Sequence, residues 1–365
     1  MPALRPITTS IRSANIARRA YSSSPATSST PATSPFAPRH LLSISDVTPQ
    51  ELSTLVRNAH NHKTHIKSTN ASPPHLASSL AGQTIAMPFS KRSTRTRVST
   101  EGAIARLGGH AMFLSSSDIQ LGVNESLYDT SVVISSMVSG IVARVHGHSD
   151  VADLAKHSSV PVINALSDLY HPLQIIADYL TIFEVFGQKE GRSQGLGLEG
   201  MKIAWVGDAN NVLFDLAIGA QKLGIEVAVA TPKGYEIPKA MREVIIQAGK
   251  GVQKRGSLTE VNEPREAVKG ADIIVTDTWV SMGQEEEKAK RMEAFEGFQI
   301  TKKMIDEGGA KEDWRFMHCL PRHPEEVADE VFYSPKSLVF PEAENRLYSA
   351  ISALESFVVN KGRIS

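Results

Sequence analysis

The residues best suited to chemistry lie in one short stretch, Ser90–Arg97, which reads Ser-Lys-Arg-Ser-Thr-Arg-Thr-Arg. Its four basic and four hydroxyl side chains suit a phosphate group, and an arginine guanidinium matches two phosphate oxygens at once. We expect Arg95 and Arg97 both to contribute in this way. If only the charges are considered, the alternative to a phosphate site is the solvent-exposed, basic first turn of a helix. The alternation of hydroxyls with arginines favours the phosphate site.

The flanking segments predict that this stretch is the turn between a strand and a helix. Thr84–Phe89 is apolar and strand-like, and Val98–Leu107 lacks proline and places its apolar residues on one helical face. Ser93 or Thr94 then caps the helix through its side-chain oxygen. The free N–H groups and the positive end of the helix dipole form an anion site there. We call Ser93–Thr96 the phosphate cradle.

Further polar side chains fall where other predicted strands end. Arg144 stands at the end of strand 140–145, and His171–Gln174 opens a helix after strand 160–165. Strands that alternate with helices in this way are typical of a parallel α/β sheet. Ligands of such sheets bind beyond the carboxyl ends of the strands. We therefore expect the phosphate cradle, Arg144 and His171–Gln174 to converge on a bound phosphate ester.

The second half of the chain has a strand, turn and helix where dinucleotide-binding proteins carry a glycine-rich turn. The turn reads Gly-Asp-Ala-Asn-Asn over 207–211, so the pattern G-x-G-x-x-G is absent. Asn211 suits a polar head group, unless both asparagines only make the turn. Downstream, Asp277 ends a buried strand and Ser281 follows four residues later. A carboxylate and a hydroxyl at this spacing can hold an ammonium group.

Cys319 is the only cysteine, so no disulfide within the chain is possible and a reducing compartment is expected. A lone cysteine is commonly a core thiol. However, Cys319 ends a predicted strand and precedes Leu-Pro-Arg, which is compatible with a reactive thiol. Arginines in the same pocket predict a thiol pKa below its usual range. His318, Cys319 and His323 lack the further thiolates that favour a zinc site.

Two other features concern histidines and the C-terminal helix. His60, His62 and His65 lie in a polar stretch without cysteine or carboxylate ligands, and we predict that all three lie at the surface. Arg346 is predicted in the first turn of a C-terminal helix, where a cation is unfavourable unless an anion lies nearby. We therefore expect Arg346 to close the anion site.

Length and composition predict an α/β protein of two domains. The chain has 365 residues, 41% apolar and 21% charged, which is enough for two cores. Lys+Arg and Asp+Glu both number 39, so the bulk charge does not indicate nucleic acid, and no apolar run approaches the length of a membrane span. We predict that each domain is a parallel sheet flanked by helices, with a C-terminal helix packing back on the first domain. The expected boundaries are 1–37 for a targeting segment and tail, 38–180, 181–344 and 345–365.

The first 37 residues differ in composition from the rest. No acidic residue precedes Asp46. Four arginines stand among Ser, Thr, Ala and Pro, namely Arg5, Arg12, Arg18 and Arg19. This composition is typical of a mitochondrial transit peptide, and the sequence Arg-Ala-Tyr-Ser predicts cleavage before Ser22. We expect the protein in the mitochondrial matrix; a merely disordered N-terminus is the alternative.

Four motifs, taken in order, resemble those of the carbamoyltransferases and most closely the ornithine branch of that family. They are Ser93–Arg97, His171–Gln174, Asp277–Gly283 and His318–Pro321. The match extends from Leu41 to Asn360. The aspartate branch normally carries a lysine in a mobile loop. The corresponding loop here, 118–122, reads Asp-Ile-Gln-Leu-Gly and has no lysine.

The resemblance implies a reaction between carbamoyl phosphate and L-ornithine that gives L-citrulline and phosphate in the mitochondrial matrix. It implies no metal or organic cofactor, because the leaving group is already activated. It also implies a homotrimer with active sites at the subunit interfaces. From the composition, we expect neither nucleic acid nor a membrane as a partner.

The resemblance also implies roles for individual residues. The residues implied to bind carbamoyl phosphate are Ser93, Thr94, Arg95, Thr96, Gln120, Arg144, His171, Gln174, Cys319, Leu320 and Arg346. Those implied to bind ornithine are Asn211, Asp277, Ser281 and Met282. Arg144 and His171 are expected to stabilise the oxyanion of the transition state, while Gln120 reaches the neighbouring subunit's phosphate. Cys319 is placed beside the δ-amine and is, with Asp277, a candidate to accept its proton.

Three other functions stay open at this point. A carbamoyltransferase for a related amine, such as putrescine or an acylated ornithine, would share the carbamoyl-phosphate motifs, but Asp277 with Ser281–Gly283 favours a free α-amino acid. A nucleotide-binding dehydrogenase or sensor would need the missing glycine pattern. An inactive paralogue would keep the motifs and bind ligands without turnover.

Overall fold

The computed structural model describes residues 38–115, 125–187, 195–280 and 285–365 of the chain. The predicted transit peptide and the predicted site residues Gln120, Ser281 and Met282 lie outside these ranges. None of the helices in the described ranges is long and apolar enough to cross a membrane.

The first sheet has four parallel strands in the order β2-β1-β3-β4. Its strands are β1 (Thr84–Phe89), β2 (His110–Ser115), β3 (Gly140–Arg144) and β4 (Val162–Leu166). The helices of this half are α1 (Pro49–Thr69), α2 (Thr94–Arg106), α3 (Leu127–Met137), α4 (His148–His157) and α5 (Pro172–Phe186). The central strands β1 and β3 are buried on both faces, as in parallel sheets that helices cover on each side.

The second sheet has five parallel strands in the order β7-β6-β5-β8-β9. Its strands are β5 (Lys202–Val206), β6 (Glu226–Ala230), β7 (Ser257–Val261), β8 (Ile273–Val275) and β9 (Arg315–Met317). Its helices are α6 (Asn211–Leu223), α7 (Lys239–Ala248), α8 (Pro264–Val268), α9 (Lys288–Ala294), α10 (Lys302–Gly308) and α11 (Asp329–Phe332), and α12 (Val339–Leu354) follows. In both sheets the strand order reverses beside the first strand, β1 or β5, and a ligand cleft is expected at such a point.

Helices α5 and α6 pack against each other and join the two halves. The Tyr179 hydroxyl on α5 donates to the Leu216 carbonyl on α6 at 2.6 Å. Gly219 makes room for the same ring, because a Cβ at this position would lie 2.5 Å from Tyr179 Cε2. Both helices are buried on nearly all sides, which matches their apolar sequences and makes this junction part of the main core.

The predicted fold class is confirmed, and α12 packs back against α1, α2 and α5 of the first half. The helix begins at Val339, seven residues before Arg346 (346 − 339), so the prediction that Arg346 lies in its first turn is wrong. Pro341 is tolerated near the start of the helix because the first N–H groups have no partner within it. The proposed boundary at 345 therefore falls inside a continuous helix.

The prediction that three neighbouring histidines lie at the surface is wrong for His62. Its Nε2 lies 2.7 Å from one carboxylate oxygen of Glu355, and His75 Nε2 lies 3.2 Å from the other. His60 and His65 are half-buried. The carboxylate partner stands 293 residues further along the chain, so the local polar pattern around the histidines could not reveal it.

Candidate active site

A cleft of about 800 Å³ lies at the carboxyl ends of both sheets. It brings together every predicted site residue that falls within the described ranges. These are Ser93, Thr94, Arg95, Thr96, Arg144, His171, Gln174, Asn211, Asp277, Cys319, Leu320 and Arg346. The remaining three, Gln120, Ser281 and Met282, lie outside the described residues.

The phosphate cradle forms the N-terminus of α2. Ser93 caps this helix, since its Oγ accepts a hydrogen bond from the Thr96 N–H at 3.3 Å and donates to Thr96 Oγ1 at 3.0 Å. The other N–H groups of the first turn have no partner within the helix and contribute to the positive end of its dipole. The strand, turn and helix predicted around the cradle are present as β1, the segment 90–93 and α2.

Arg97 does not face the cleft, and the expectation that it acts alongside Arg95 is wrong. Arg97 Nε donates to Glu101 Oε1 at 2.8 Å, and its guanidinium stacks 3.8 Å from the Phe113 ring centroid. Arg95 lines the cleft, where its Nη2 donates to the Leu320 carbonyl at 2.5 Å. Residues two apart on a helix point about 200° away from each other, so the two guanidiniums cannot share a face.

Three arginines from different elements meet around Thr96. Arg144 from the end of β3 and Arg346 from α12 approach Thr96 Oγ1 at 3.5 and 3.4 Å. In the described ranges, Arg95, Arg144 and Arg346 donate to hydroxyl, amide and carbonyl oxygens but not to carboxylates. Burial, together with neighbouring arginines, lowers the pKa of Arg144 and that of Arg346 to about 10. Buried cations without carboxylate partners favour a bound anion.

His171 and Gln174 line the cleft beside Arg346. His171 Nε2 lies 3.4 Å from Arg346 Nη1, and its Nδ1 has no hydrogen-bond partner among the described residues. Burial and the charges of Arg346 and Arg144 hold the pKa of His171 well below its usual range, so the ring is neutral and carries one N–H donor. Gln174 Oε1 accepts from Arg346 Nη1, while its Nε2 donates to Asp178 Oδ1 at 2.7 Å. Gln174 therefore orients the guanidinium of Arg346.

The opposite wall of the cleft carries a carboxylate and a thiol. Cys319 Sγ donates to Asp277 Oδ1 at 3.1 Å, and Asn210 Nδ2 donates to Asp277 Oδ2 at 2.8 Å. Burial raises the pKa of Asp277. Burial, and the charges of Asp277 and Glu342, raise the pKa of the Cys319 thiol well above its usual range. The predicted low thiol pKa is wrong, because burial disfavours the thiolate and the carboxyl groups of Asp277 and Glu342 add negative charge beside the sulfur.

The turn after β5 contributes two asparagines to the cleft, and only Asn211 was predicted as a site residue. Asn211 Nδ2 donates to the Ser167 carbonyl at 2.7 Å. Asn210 caps α6 through its Oδ1 and also reaches Asp277. An asparagine before a helix is accounted for by helix capping alone, so the sequence gives no separate reason to expect a hydrogen bond from Asn210 to Asp277. The one available signal is that Asn210 and Asp277 follow strands that become neighbours in the sheet.

Asp277, His318 and Cys319 place potential metal-ligand atoms within 4.8 Å of one another. However, His318 Nε2 pairs with Glu326 Oε2 at 3.1 Å, and its Nδ1 accepts the Leu320 N–H at 2.9 Å. Both ring nitrogens of His318 are therefore hydrogen-bonded, and Cys319 and Asp277 are hydrogen-bonded to each other. The arrangement fits a hydrogen-bonded wall better than a metal centre.

Two family models together match most of the chain. The carbamoyl-P binding domain of the aspartate/ornithine carbamoyltransferases matches residues 39–184, and their Asp/Orn binding domain matches residues 199–357. The chain belongs to this family. The resemblance drawn from the four motifs is thereby confirmed at the level of the aspartate/ornithine carbamoyltransferases.

Individual carbamoyltransferases resemble the chain along most of their length. The mitochondrial ornithine carbamoyltransferase of Aspergillus niger is 70% identical over 348 residues, which cover 95% of this chain and 94% of that protein. The corresponding protein of Schizosaccharomyces pombe is 54% identical over 329 residues, covering 90% and 96%. The crystal structure of a mitochondrial ornithine carbamoyltransferase from Coccidioides immitis superposes with a TM-score of 0.84 at 66% identity, covering 90% of this chain and 100% of that one. These similarities favour the ornithine branch of the family over the aspartate branch.

Proposed function

We propose that this carbamoyltransferase transfers the carbamoyl group of carbamoyl phosphate to the δ-amine of L-ornithine, which gives L-citrulline and phosphate. The family and the ornithine carbamoyltransferases that resemble the chain support this reaction. The main structural support is that one cleft has arginines on one wall and a carboxyl group with a thiol on the opposite wall. Arg95, Arg144 and Arg346 suit a phosphate dianion, and Asp277 with Cys319 suits an amine.

The phosphate half of the reaction is assigned to the cradle. Ser93–Thr96 offer hydroxyls and the N–H groups at the start of α2, and Arg95 offers a planar guanidinium to two phosphate oxygens. Arg346 reaches the same place from α12. Negative charge that develops on the leaving group is therefore met by donors already in place, so the transfer needs little rearrangement.

The carbamoyl half is assigned to residues beside the cradle. Arg144 and the neutral His171 donate to the carbonyl oxygen, which becomes an oxyanion when the amine attacks. Each well-placed donor of this kind stabilises the transition state by about 3 kcal/mol. Gln174 and the Leu320 carbonyl lie beside the same group, and the carbonyl is an acceptor for the carbamoyl NH₂. The C–N bond forms first, and the bond between carbonyl carbon and phosphate oxygen breaks as the oxyanion returns to a carbonyl and phosphate leaves.

The amine half is assigned to the opposite wall. Asn211, Asp277, Ser281 and Met282 are proposed to bind ornithine, whose δ-amine resembles that of lysine, with a pKa of ~10, and must lose a proton before it attacks. The Cys319 thiol donates to Asp277, so the sulfur can take the ammonium proton as its own proton passes to the carboxylate. The raised pKa of Asp277 makes it a better acceptor than an exposed aspartate.

The assembly and location of the protein are proposed on separate grounds. We propose a homotrimer in which Gln120 reaches the neighbouring subunit's phosphate. Exposed apolar side chains on α2, edge strand β2 and α3 support contact with a second copy, namely Val98, Met112, Tyr128, Val132, Val133 and Met137. We place the protein in the mitochondrial matrix, as the names of its relatives and its first 37 residues suggest. The domain limits 38–180, 181–344 and 345–365 stay predictions.

The proposed function is tested by varying the amine. The chain that begins at Ser22 is assayed with carbamoyl phosphate and, in turn, L-ornithine, putrescine and an Nα-acylated ornithine. We expect the highest kcat/KM for the amine with L-ornithine. A preference for putrescine would contradict the assignment of Asp277 to an α-amino acid and leave the carbamoyl-phosphate half intact. Absence of turnover with every amine would contradict the reaction itself.

A further inference from the structure

Two buried carboxyl groups lie behind the cleft, outside the set of residues assigned above. Asp178 on α5 and Glu342 in the first turn of α12 are 3% and 2% exposed. Gln174 Nε2 donates to both, at 2.7 Å to Asp178 Oδ1 and at 3.1 Å to Glu342 Oε1. One amide nitrogen therefore holds both carboxyl groups close together in a buried site, where two adjacent negative charges repel each other, so we expect one of the two groups to keep its proton.

The pair contacts three segments that carry residues of the cleft. The amide of Gln174 is fixed between the pair and Arg346, because its Nε2 donates to the carboxyl groups and its Oε1 accepts from the guanidinium. Glu342 Oε2 also accepts the His318 N–H at 2.9 Å, which fixes the backbone one residue before Cys319. The pair thus links α5, α12 and the turn after β9.

Burial favours a retained proton on the pair, the negative charge of Asp277 adds to this effect, and the positive charge of Arg346 opposes it. Arg346 faces the pair from α12, Asp277 from the end of β8, and Cys319 from the turn after β9. Burial raises the pKa of Asp178 to about 7, although the hydrogen bond from Gln174 and the positive charge of Arg346 lower it. Burial and the charge of Asp178 raise the pKa of Glu342 well above its usual range. The pair therefore keeps a proton at neutral pH.

We propose that Asp178 and Glu342 share one proton and act as positioning residues for carbamoyl transfer, an inference that rests on the proposed function. They hold Gln174 with its carbonyl toward Arg346 and hold the turn that carries Cys319. When the last proton leaves, two adjacent buried anions repel each other and both attachments loosen. We expect kcat to fall on the alkaline side of the pH profile for this reason.

The test compares the pH profile of kcat in three variants of buried carboxylates. Glu342→Gln keeps the size and the acceptor for the His318 N–H, gives up only the longer of the two hydrogen bonds from Gln174 Nε2, and cannot ionise. We expect a kcat within about threefold of the wild type at neutral pH and an alkaline limb moved to higher pH. Glu342→Ala leaves the buried His318 N–H without its acceptor and Gln174 Nε2 with Asp178 alone, and we expect kcat to fall about 100-fold. The matched control is Glu355→Gln, a buried carboxylate that serves His62 and His75, and its profile is expected to follow the wild type.

Each outcome decides one part of the inference. An alkaline limb in Glu342→Gln that coincides with the wild-type limb would overturn the shared proton. A wild-type kcat in a folded Glu342→Ala would overturn the positioning role. If Glu342→Ala does not fold, Asp178→Asn is used, and an unmoved limb there also overturns the inference. Citrulline formation by the wild type in the same assay separates this inference from the proposed function, whose failure would already appear without any substitution.

Discussion

Single residues in the cleft are governed by the charge of their immediate neighbours. Cys319 lies in the same cleft as three arginines, yet its thiol donates to Asp277 and keeps its proton. His171 has the opposite surroundings, because it lies against Arg346 and stays neutral. At neutral pH the cleft therefore has a neutral imidazole, that of His171, on one side and a protonated thiol, that of Cys319, on the other.

The protonation of Cys319 can be tested by alkylation. We expect iodoacetamide to react slowly with this thiol at neutral pH, because burial and then the charges of Asp277 and Glu342 disfavour the thiolate. Asp277→Asn removes one of these charges and lowers the thiol pKa, so we expect alkylation about 10-fold faster, equivalent to one pKa unit. Intact-mass spectrometry reports this thiol alone, since the chain has no other cysteine. A variant no faster than the wild type would show that Asp277 does not control the thiol.

Helices and strands set which of these residues can meet. The cap at Ser93 starts α2 at the cleft, and the close packing of α5 on α6 holds Gln174 relative to the second sheet. Gly219 allows this packing, because only the absence of a side chain lets the Tyr179 ring approach α6.

Adding a methyl group at Gly219 should destabilise the fold. In Gly219→Ala the new Cβ would lie 2.5 Å from the Tyr179 ring, and we expect the free energy of unfolding to fall by about 1–3 kcal/mol. Gly102→Ala on α2 is the matched control, since its Cβ would lie 3.4 Å from the flexible end of Leu347. The control should be unchanged or slightly more stable, because alanine favours helices. Urea denaturation of both variants measures the difference, and equal stabilities would refute the steric account.

The segment before α1 should make stability depend on pH through His40. Its Nδ1 accepts the Val162 N–H at 3.0 Å, and burial lowers its pKa to about 4. A histidine with a lowered pKa contributes its full stability above the unfolded value of ~6.5 and loses it as the pH falls toward 4, by about 3 kcal/mol. His40→Asn retains an acceptor but cannot be protonated, so we expect it to lose about that much less stability over this range. Urea denaturation measures the free energy of unfolding of both proteins at pH 6.5 and pH 4. If the wild type and His40→Asn lose the same amount between these two pH values, the assignment to His40 is contradicted.

At the scale of the whole molecule, contiguous patterns were predictable and long-range pairings were not. The phosphate cradle could be read from the sequence, because the strand, cap and helix that form it are adjacent in the chain. The prediction that Arg97 faces the phosphate is wrong, although the helical spacing between Arg95 and Arg97 already makes their side chains point in different directions. The Asp178–Glu342 pair and the partners of Cys319 come together only when both sheets and α12 are packed, so no local pattern shows them.

The cleft as a whole depends on residues from both sheets and from α12, and the proposed reaction requires that the cradle bind the phosphate of carbamoyl phosphate. The most direct measurement is kcat/KM for carbamoyl phosphate, with L-ornithine saturating, in the wild type, Arg95→Ala and Arg97→Ala. Both variants remove one guanidinium from the same turn region of α2, but only Arg95 lines the cleft. We predict a loss of about 100- to 1,000-fold in Arg95→Ala and a change below about threefold in Arg97→Ala, an exposed ion pair. Equal losses in both variants, or a wild-type value in Arg95→Ala, would contradict the account.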